Sequence, residues 1–282
     1  MTIKKNIVLE KKGAKPILID FFYNSNNKMP VIIFCHGYKG YKDWGCWNLV
    51  AKEFATNNFF FIKFNFSYNG GTVQNPIDFP DLNAFGNNNF THELNDIERV
   101  ISFISSYQNI AANIDLNNIF LIGHSRGGGI CAIKASENKE IKGLISWAGV
   151  SNFKIRFNEE SKEFIKWKES GVKYVENKRT KQQMPHFYQF YLDFKKNEDR
   201  YNIKTAVDNL KIPFLIIHGD NDNSVLPLEG NNLHSWNKNS KFIVIKNGNH
   251  TFSSKHPWES KKLPKELKVV TDASIRFIKS CV

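Results

Sequence analysis

Residues 119–130 read Ile-Phe-Leu-Ile-Gly-His-Ser-Arg-Gly-Gly-Gly-Ile. The opening apolar run is too short and too tightly bounded for a helix, so it predicts a strand that ends in a sharp turn before a helix. In a Gly-x-Ser-x-Gly turn the two glycines, here Gly123 and Gly127, remove side chains that would collide at the corner. Ser125 is therefore predicted to project its hydroxyl clear of the sheet, beside the free N–H groups that begin the helix.

The same turn has a second interpretation, because a glycine-rich connection from strand to helix can cradle a phosphate. No Lys-Ser or Lys-Thr pair follows at the spacing of a P-loop, and the glycines do not fit Gly-x-Gly-x-x-Gly. These departures weaken the nucleotide interpretation. A nucleophilic serine would in turn require a base, an acid and an oxyanion donor elsewhere in the chain.

Composition limits the class of protein. A chain of 282 residues, of which 41% are hydrophobic, is long enough for one sizeable core, so we expect one α/β domain with an insertion. The first residues lack an apolar stretch typical of a signal peptide, and no run of about 18 apolar residues occurs, so we expect no export signal and no membrane partner. Four cysteines without metal-ligand spacing predict reduced thiols of a cytoplasmic protein, with no metal or cofactor: Cys35, Cys46, Cys131 and Cys281.

The formal net charge of +12 raises the question of nucleic-acid binding. The positive excess is concentrated in residues 154–204 and 255–279, yet acidic residues are interspersed in both segments. A dedicated phosphate-binding stripe would carry one sign of charge. We therefore interpret the excess as a solvated, lysine-rich surface and expect no nucleic-acid partner.

Buried-strand patterns alternate with helical ones along the chain, which predicts a mostly parallel sheet of about eight strands flanked by helices. Apolar spacing predicts helices over 44–54, 91–106 and 265–280, the second of them capped by Thr91. Ligands of such sheets bind outside the carboxyl ends of the strands. Strands are predicted near residues 6–10, 16–23, 31–35, 59–64, 119–122, 143–148, 211–217 and 241–246.

Residues 152–209 differ in character from the segments on either side. Charged residues alternate there with Phe, Trp and Tyr, and no buried-strand pattern occurs. This mixture predicts a helical cap insertion that divides the core into residues 1–151 and residues 210–282. The long irregular segment 67–89 is expected to form the opposing rim of the site.

Three aromatic residues are candidates for substrate contact. Phe187 and Tyr191 belong to an aromatic run inside the predicted cap, and Trp258 lies shortly after the candidate catalytic histidine. Apolar pockets with a few polar groups are typical of small-ligand sites, so a wall of such residues would suit a small molecule. The alternative, which the sequence leaves open, is that these aromatics anchor the cap to the body.

Candidates for the base and the acid follow the later strands. His250 comes after the predicted strand 241–246, and Asp220 and Asp222 both come after the strand 211–217. Because the carboxyl ends of parallel strands meet at one edge, these groups are expected to approach Ser125, in the chain order Ser, Asp, His. His36, His124 and His218 are interpreted as turn-packing residues, and His186 and His256 as candidates for substrate contact.

These motifs together resemble the α/β-hydrolase superfamily, and within it the serine esterases of the cinnamoyl/feruloyl esterase and dienelactone-hydrolase-like groups. Dienelactone hydrolases proper carry a cysteine where Ser125 stands. One departure concerns Asn65–Gly70, where many relatives have Asp-x-Arg-Gly-His-Gly, and it leaves the shape of the acyl pocket open. The resemblance is carried by His36-Gly37-Tyr38, Gly123-His124-Ser125-Arg126-Gly127-Gly128, His218-Gly219-Asp220-Asn221-Asp222 and Asn249-His250-Thr251-Phe252.

The resemblance implies an α/β-hydrolase fold and assigns roles to the candidates. It implies Ser125 as nucleophile, His250 as general base and Asp222, rather than Asp220, as the acid. Two backbone N–H groups, those of Arg126 and Tyr38, would form the oxyanion hole. The Arg126 side chain is expected to be a member of an ion pair instead of a substrate contact.

The leading functional hypothesis is a carboxylic ester hydrolase that acts on small aryl or medium-length acyl esters through an acyl-enzyme. A serine peptidase of the aminopeptidase type shares the fold and would need a cap carboxylate for the substrate amino group, for which Glu159, Glu160 and Glu163 are available. A third hypothesis is a binding protein that keeps the fold without turnover. The sequence does not specify the natural substrate or the oligomeric state.

Overall fold

The computed structural model describes residues 1–25 and 27–282. Eight of the strands in this part of the chain form one sheet, and two form a separate antiparallel ribbon. The strands are β1 (Thr2–Lys11), β2 (Ala14–Tyr23), β3 (Met29–Cys35), β4 (Phe60–Asn65), β5 (Ile114–His124), β6 (Ile141–Trp147), β7 (Val172–Glu176), β8 (Gln183–Phe187), β9 (Phe214–Gly219) and β10 (Lys241–Ile245).

The spatial order in the sheet is β1-β2-β4-β3-β5-β6-β9-β10. The pairings β1 with β2 and β2 with β4 are antiparallel, and the remaining pairings are parallel, which confirms the predicted mostly parallel sheet. The helices are α1 (Trp47–Thr56), α2 (Leu82–Gly86), α3 (Phe90–Ser106), α4 (Arg126–Glu137), α5 (Lys162–Ser170), α6 (Gln189–Lys196), α7 (Ile203–Asn209), α8 (Pro227–Trp236) and α9 (Lys265–Lys279).

The sheet separates two hydrophobic cores, because successive side chains of a strand point to opposite faces. Ile119 and Leu121 of β5 belong to the core that contains apolar residues of α3 and α4. Phe120 and Ile122 belong to the core that contains those of α1 and α9. Helices on both faces thus hold the central strand β5 rigidly, and β5 ends directly before Ser125.

Most predicted elements lie within a few residues of the observed ones, but the predicted cap of α3 is wrong. The side chain of Asn89, not that of Thr91, accepts the capping hydrogen bond, from the N–H of His92 at 2.9 Å. Asn is a strong capping residue, and the helix begins at Phe90, one residue before the predicted start. Thr91 instead hydrogen-bonds the carboxylate of Asp193 through its hydroxyl.

The segment 152–209 leaves the sheet after β6 and returns at β9, which is the neighbour of β6. It contains the helices α5, α6 and α7, and between the first two it forms the ribbon of β7 and β8. The ribbon is an addition to the helices expected from the sequence. Its strands are only five residues long and three of the five residues of β7 are exposed, so they lack the apolar run by which the core strands are recognised.

The irregular segment 67–89 packs against this ribbon. Phe79 and Phe85 from the segment form a small apolar cluster with Tyr41 and with Met184 of β8. The side-chain amide of Gln182 also donates to the carbonyl of Phe79 at 2.9 Å. The segment therefore supports the ribbon.

Two further observations concern the part of the chain that the structure describes. No helix there has both the length and the hydrophobicity needed to cross a bilayer. The same residues include no group of three or more His, Cys, Asp or Glu side chains arranged to hold a metal ion.

Candidate active site

Ser125 occupies the turn between β5 and α4 in a backbone conformation that side chains rarely adopt, with φ of 57° and ψ of −123°. Such strain persists only where the surroundings impose it. A Cβ atom at Gly123 would lie 2.3 Å from the carbonyl oxygen of Gly127, so the turn closes only with glycine there. The Ser125 N–H is fixed by the carbonyl of Trp147 at 3.0 Å, and its hydroxyl faces a cavity.

His250 and Asp222 lie in the loops that follow β10 and β9, which are parallel neighbours. The structure brings both to Ser125: His250 Nε2 lies 3.0 Å from Ser125 Oγ, and His250 Nδ1 lies 2.8 Å from Asp222 Oδ2. An ionised carboxylate only accepts hydrogen bonds, so Nδ1 carries the proton and Nε2 is free to accept one from the serine. This is the geometry of a nucleophile, a base and an orienting acid.

Asp222 is held in its ionised form. Burial opposes ionisation, but hydrogen bonds from the side chains of His218 and His250 and from the Val225 N–H outweigh it and hold the pKa of Asp222 below its ordinary value. Its second oxygen accepts from the N–H groups of Ser224 and Val225 at 2.8 and 2.9 Å. Asp220, the alternative acid, is exposed, and His250 hydrogen-bonds Asp222 instead.

The turn after β3 presses against the serine. A Cβ atom at Gly37 would lie 2.7 Å from Ser125 Cβ, so only glycine permits this approach. The approach brings the backbone that leads from Gly37 to Tyr38 close to the serine. Arg126 is the first residue of α4, and the N–H of a first helical residue has no acceptor within its own helix. Both predicted oxyanion donors thus belong to backbone that adjoins Ser125.

A buried cluster of charges anchors this turn, although no motif in the sequence indicates it. Lys42 and Lys63 are fully buried, and both contact Asp20, at 2.9 and 2.6 Å. Lys63 also contacts Asp43 at 2.8 Å, and despite burial the two lysines hold the pKa of Asp43 below its ordinary value. Removing one partner of such a set leaves a buried charge uncompensated, so the cluster fixes the turn that carries Gly37.

The Arg126 side chain forms an ion pair, as the sequence analysis expected. Its guanidinium lies 2.6 Å from the carboxylate of Glu93, which is buried and also accepts from Asn88 at 2.8 Å. Burial raises the pKa of Glu93, against the opposing effect of Arg126. The pair holds the start of α4 against α3.

The histidines interpreted as turn-packing residues donate to backbone carbonyls. His124 Nε2 donates to the carbonyl of His250 at 2.8 Å, and His218 Nε2 donates to that of Val225 at 2.9 Å. His36 Nδ1 donates to the carbonyl of Gly37 at 2.9 Å. Burial lowers the pKa of His36 to about 4 and that of His124 to about 3, so both are neutral at pH 7.

A cavity of about 490 Å³ opens beside Ser125 and His250. Its volume falls in the range of small-ligand sites. Most of its wall is apolar and comes from α3, from the loop after β6 and from the segment 152–209: Phe90, Val150, Phe153, Phe157, Trp167 and Phe190. Its basic side chains are Arg126, Arg156, Lys173 and His186.

The three aromatic residues predicted to contact substrate are not among the residues that line this cavity. Tyr191 is 7% exposed and packs against Phe157 and Phe164. The Phe187 ring covers Gly86, where an added Cβ would lie 2.8 Å from it. Trp258 packs against the core near α1 and α9. Consecutive helical residues point about 100° apart, so Phe190 faces the cavity where Tyr191 cannot.

His186 joins the segment 152–209 to the turn after β3. Its Nδ1 lies 3.1 Å from the carbonyl of Met184, so that nitrogen donates, and Nε2 accepts from the Tyr38 hydroxyl at 2.7 Å. Burial lowers its pKa to about 4 and keeps it neutral. His186 lines the cavity, whereas His256, the other histidine considered for substrate contact, accepts from the Gly45 N–H and faces Trp44.

Comparison with known proteins gives a family match. The BD-FAE family model matches residues 19–237, which is most of the chain. No curated protein matches the sequence.

Solved structures share the fold. Est1E from Butyrivibrio proteoclasticus is 17% identical with a TM-score of 0.73, over 98% of each chain, and it has also been solved with ferulic acid bound. DcsB in complex with its substrate analogue is 16% identical with a TM-score of 0.74, over all of both chains. An acylaminoacyl peptidase from Pyrococcus horikoshii is 14% identical with a TM-score of 0.67, over 99% of this chain and 42% of the peptidase. The architecture is that of the α/β hydrolases.

Proposed function

This chain belongs to the BD-FAE family, and from that premise we propose that it is a serine esterase that cleaves carboxylic esters through an acyl-enzyme. The observation that carries the proposal is the contact of Ser125 with His250 and of His250 with Asp222, at 3.0 and 2.8 Å, on the edge of a cavity that fits a small ligand. Family and fold alone would be compatible with other activities.

In the proposed reaction, Ser125 Oγ attacks the ester carbonyl carbon while its proton moves to His250 Nε2. The tetrahedral oxyanion accepts hydrogen bonds from the N–H groups of Tyr38 and Arg126. When the intermediate collapses, the C–O bond to the alcohol breaks and His250 returns the proton to the alcohol oxygen. Water then attacks the acyl-enzyme by the same route, with Asp222 stabilising the imidazolium at each step.

The segment 152–209 is proposed to act as a cap between core residues 1–151 and 210–282. It supplies Phe157, Trp167 and Phe190 to the cavity wall. An apolar, aromatic wall of this kind supports aryl or medium-length acyl esters as substrates, and ferulic acid in the structure of Est1E is a bound aryl acid of that type.

A peptidase of the aminopeptidase type receives less support. Glu159, Glu160 and Glu163, the candidates to bind a substrate amino group, are exposed. Among the described residues, those that line the cavity include arginine and lysine but no Asp or Glu. A site that already holds cations disfavours a cationic amino terminus.

The test is hydrolysis of a panel of 4-nitrophenyl esters by the wild-type protein and by Ser125→Ala, with Ser105→Ala on α3 as a serine control outside the site. We expect hydrolysis by the wild type and the control, and a loss of about 10⁶-fold in kcat for Ser125→Ala. A wild-type protein that hydrolyses no ester, or an unchanged rate in Ser125→Ala, would refute the proposal. Faster cleavage of aminoacyl-naphthylamides than of esters would favour the peptidase.

A further inference from the structure

The cavity contains a cation without an acidic partner. Two arginines and one lysine line it, and both arginines have carboxylates behind the wall: Arg126 contacts Glu93 and Arg156 contacts Glu229. Within the described residues, no carboxylate lies within salt-bridge distance of Lys173. The positive charge of Lys173 therefore faces the cavity uncompensated.

The ribbon directs Lys173 towards the cavity. Lys173 of β7 is paired with His186 of β8, and directly opposite residues of an antiparallel pair project to the same face. Lys173, Val175 and His186 all line the cavity, while Tyr174, between the first two, is 60% exposed on the other face. The alternation of the strand thus fixes the orientation of the ammonium group.

The contact of Lys173 with the Trp167 ring leaves N–H donors of the ammonium group available for another partner. Its Nζ lies 3.8 Å from the centroid of the Trp167 ring, and the Trp167 indole N–H is held by the carbonyl of His186 at 2.7 Å. A ring face can engage one side of an ammonium, which carries three N–H donors. Burial lowers the pKa of Lys173, as expected for a cation that lacks a counter-charge.

The carboxylate of Asp222 does not serve as that counter-charge. It lies behind the His250 imidazole, which it binds at 2.8 Å, and its other oxygen is occupied by two backbone N–H groups. Asp222 is 1% exposed and is not part of the cavity wall. An anion that enters the cavity would therefore meet Lys173 beside an apolar wall, where charge pairing is stronger than in water.

We propose that the ester substrate carries a carboxylate, on its acyl or its alcohol group, that binds Lys173 while the apolar body of that group lies against Trp167 and Phe157. This inference rests on the proposed esterase function. It narrows the proposed substrates from carboxylic esters in general to esters that also carry a carboxylate. Lys173 is a specificity-determining residue in this account and takes no part in bond cleavage.

The first test compares matched esters. In the first pair the acyl group carries the carboxylate: mono-4-nitrophenyl suberate is compared with the neutral 4-nitrophenyl octanoate. In the second pair the alcohol group carries it: the butyrate ester of 4-(hydroxymethyl)benzoate is compared with the neutral butyrate ester of 4-methylbenzyl alcohol. These pairs are called the acyl arm and the alcohol arm. In at least one arm, Lys173→Met should lower kcat/KM for the anionic ester by about tenfold or more, because it removes a hydrogen bond to a charged group. The kcat/KM for the neutral ester of the same arm should stay nearly unchanged. Lys173→Arg should retain most of the preference.

The control variant is Lys241→Met, which removes a lysine stacked on Phe277 at 5.7 Å, outside the cavity. It should leave all four rates unchanged. If Lys173→Met changes the two members of each arm equally, or changes none, the proposal is overturned while the esterase function stands.

A binding measurement tests the contact with Lys173 independently of catalysis. Calorimetric titration of Ser125→Ala with 4-phenylbutyrate and with 4-phenylbutyramide compares a carboxylate with its neutral isostere. We expect the carboxylate to bind more tightly, and the difference to disappear in the double variant Ser125→Ala, Lys173→Met. Equal binding of the two compounds to Ser125→Ala would contradict the proposal, whether or not the wild type hydrolyses esters.

Discussion

The edge of the sheet and the segment 152–209 meet at one cavity but are built differently. At the edge, each reacting group follows a core strand, and parallel strand pairing brings Asp222 and His250 to Ser125. The segment 152–209 touches the cavity through side chains of short helices and a two-stranded ribbon. The backbone of the core therefore sets the positions of the groups at the edge, whereas local side-chain packing sets the shape of the wall.

If this division is correct, a substitution at the edge should lower kcat for all esters by a similar factor. Asp222→Asn should lower kcat about 10⁴-fold for short and long esters, because an amide can donate to Nδ1 and so favour the wrong histidine tautomer. The measurement is kcat on an acetate and an aryl ester. Asp220→Asn, two residues away and exposed, is the matched control and should behave as the wild type.

A loss confined to one ester, or an equal loss in Asp220→Asn, would contradict the assignment of Asp222. It would also remove the distinction between the edge and the wall.

The loss of kcat/KM caused by a substitution on the wall should depend on the size of the ester. Phe190→Ala should lower kcat/KM for a bulky aryl ester about tenfold and affect an acetate ester little, because an acetyl group makes few contacts beyond the reacting groups. Its neighbour Tyr191 is the contrasting site. Tyr191→Ala should lower the free energy of unfolding by about 3 kcal/mol, since it leaves a void in a packed aromatic cluster. It should change kcat/KM for the two esters by the same factor.

Kinetics on both esters and urea unfolding of both variants decide this point. Equal losses on the two esters in Phe190→Ala would show that Phe190 has only a packing role. Ester-selective loss in Tyr191→Ala would restore the original assignment of Tyr191 to the pocket.

A further prediction concerns the joint between the two regions, the hydrogen bond from Tyr38 to His186. The folded pKa of His186 is about 4, below its unfolded value near 6.5, so the unfolded state binds the proton more readily between these values. The stability due to neutral His186 is therefore complete above pH 6.5 and is lost as the pH falls towards 4. The slope is on the order of 1 kcal/mol per pH unit.

His186→Gln removes this titration. The difference in unfolding free energy between wild type and variant should shrink as the pH falls from 6.5 to 4, measured by urea unfolding at each pH. A difference that stays constant over this range would show that the joint does not depend on the neutral imidazole. The wild-type profile serves as the reference, since other titrating groups are common to both proteins.

The edge could be predicted from the sequence because its signals are local. Apolar runs mark β3, β5 and β9, and the glycines around Ser125 are required by contacts that a Cβ would break. Parallel pairing then brings the strand ends together. The choice of Asp222 over Asp220, however, depended on resemblance to a family, since spacing alone left both open.

The wall could not be predicted, because aromatic residues are abundant in this chain and their direction is set by packing. The stretch Val172-Lys173-Tyr174-Val175-Glu176 contains residues that favour strands, but its polar and apolar residues do not alternate strictly and its neighbours resemble helices. His186 was a sequence-based candidate for substrate contact, but Lys173 could not be placed on the cavity without knowledge of the ribbon. The aromatic run 184–191 is evident in the sequence, but its cavity-facing members are His186 and Phe190.

Labelling with an alkyl fluorophosphonate, in which the serine oxygen displaces fluoride from phosphorus, tests whether Ser125 is a nucleophile activated by His250. Mass spectrometry of the digested protein locates the adduct. We expect one adduct, on the peptide that contains Ser125, absent in Ser125→Ala and formed orders of magnitude more slowly in His250→Ala. A wild-type protein without an adduct, or an adduct on another residue, would contradict this role of Ser125.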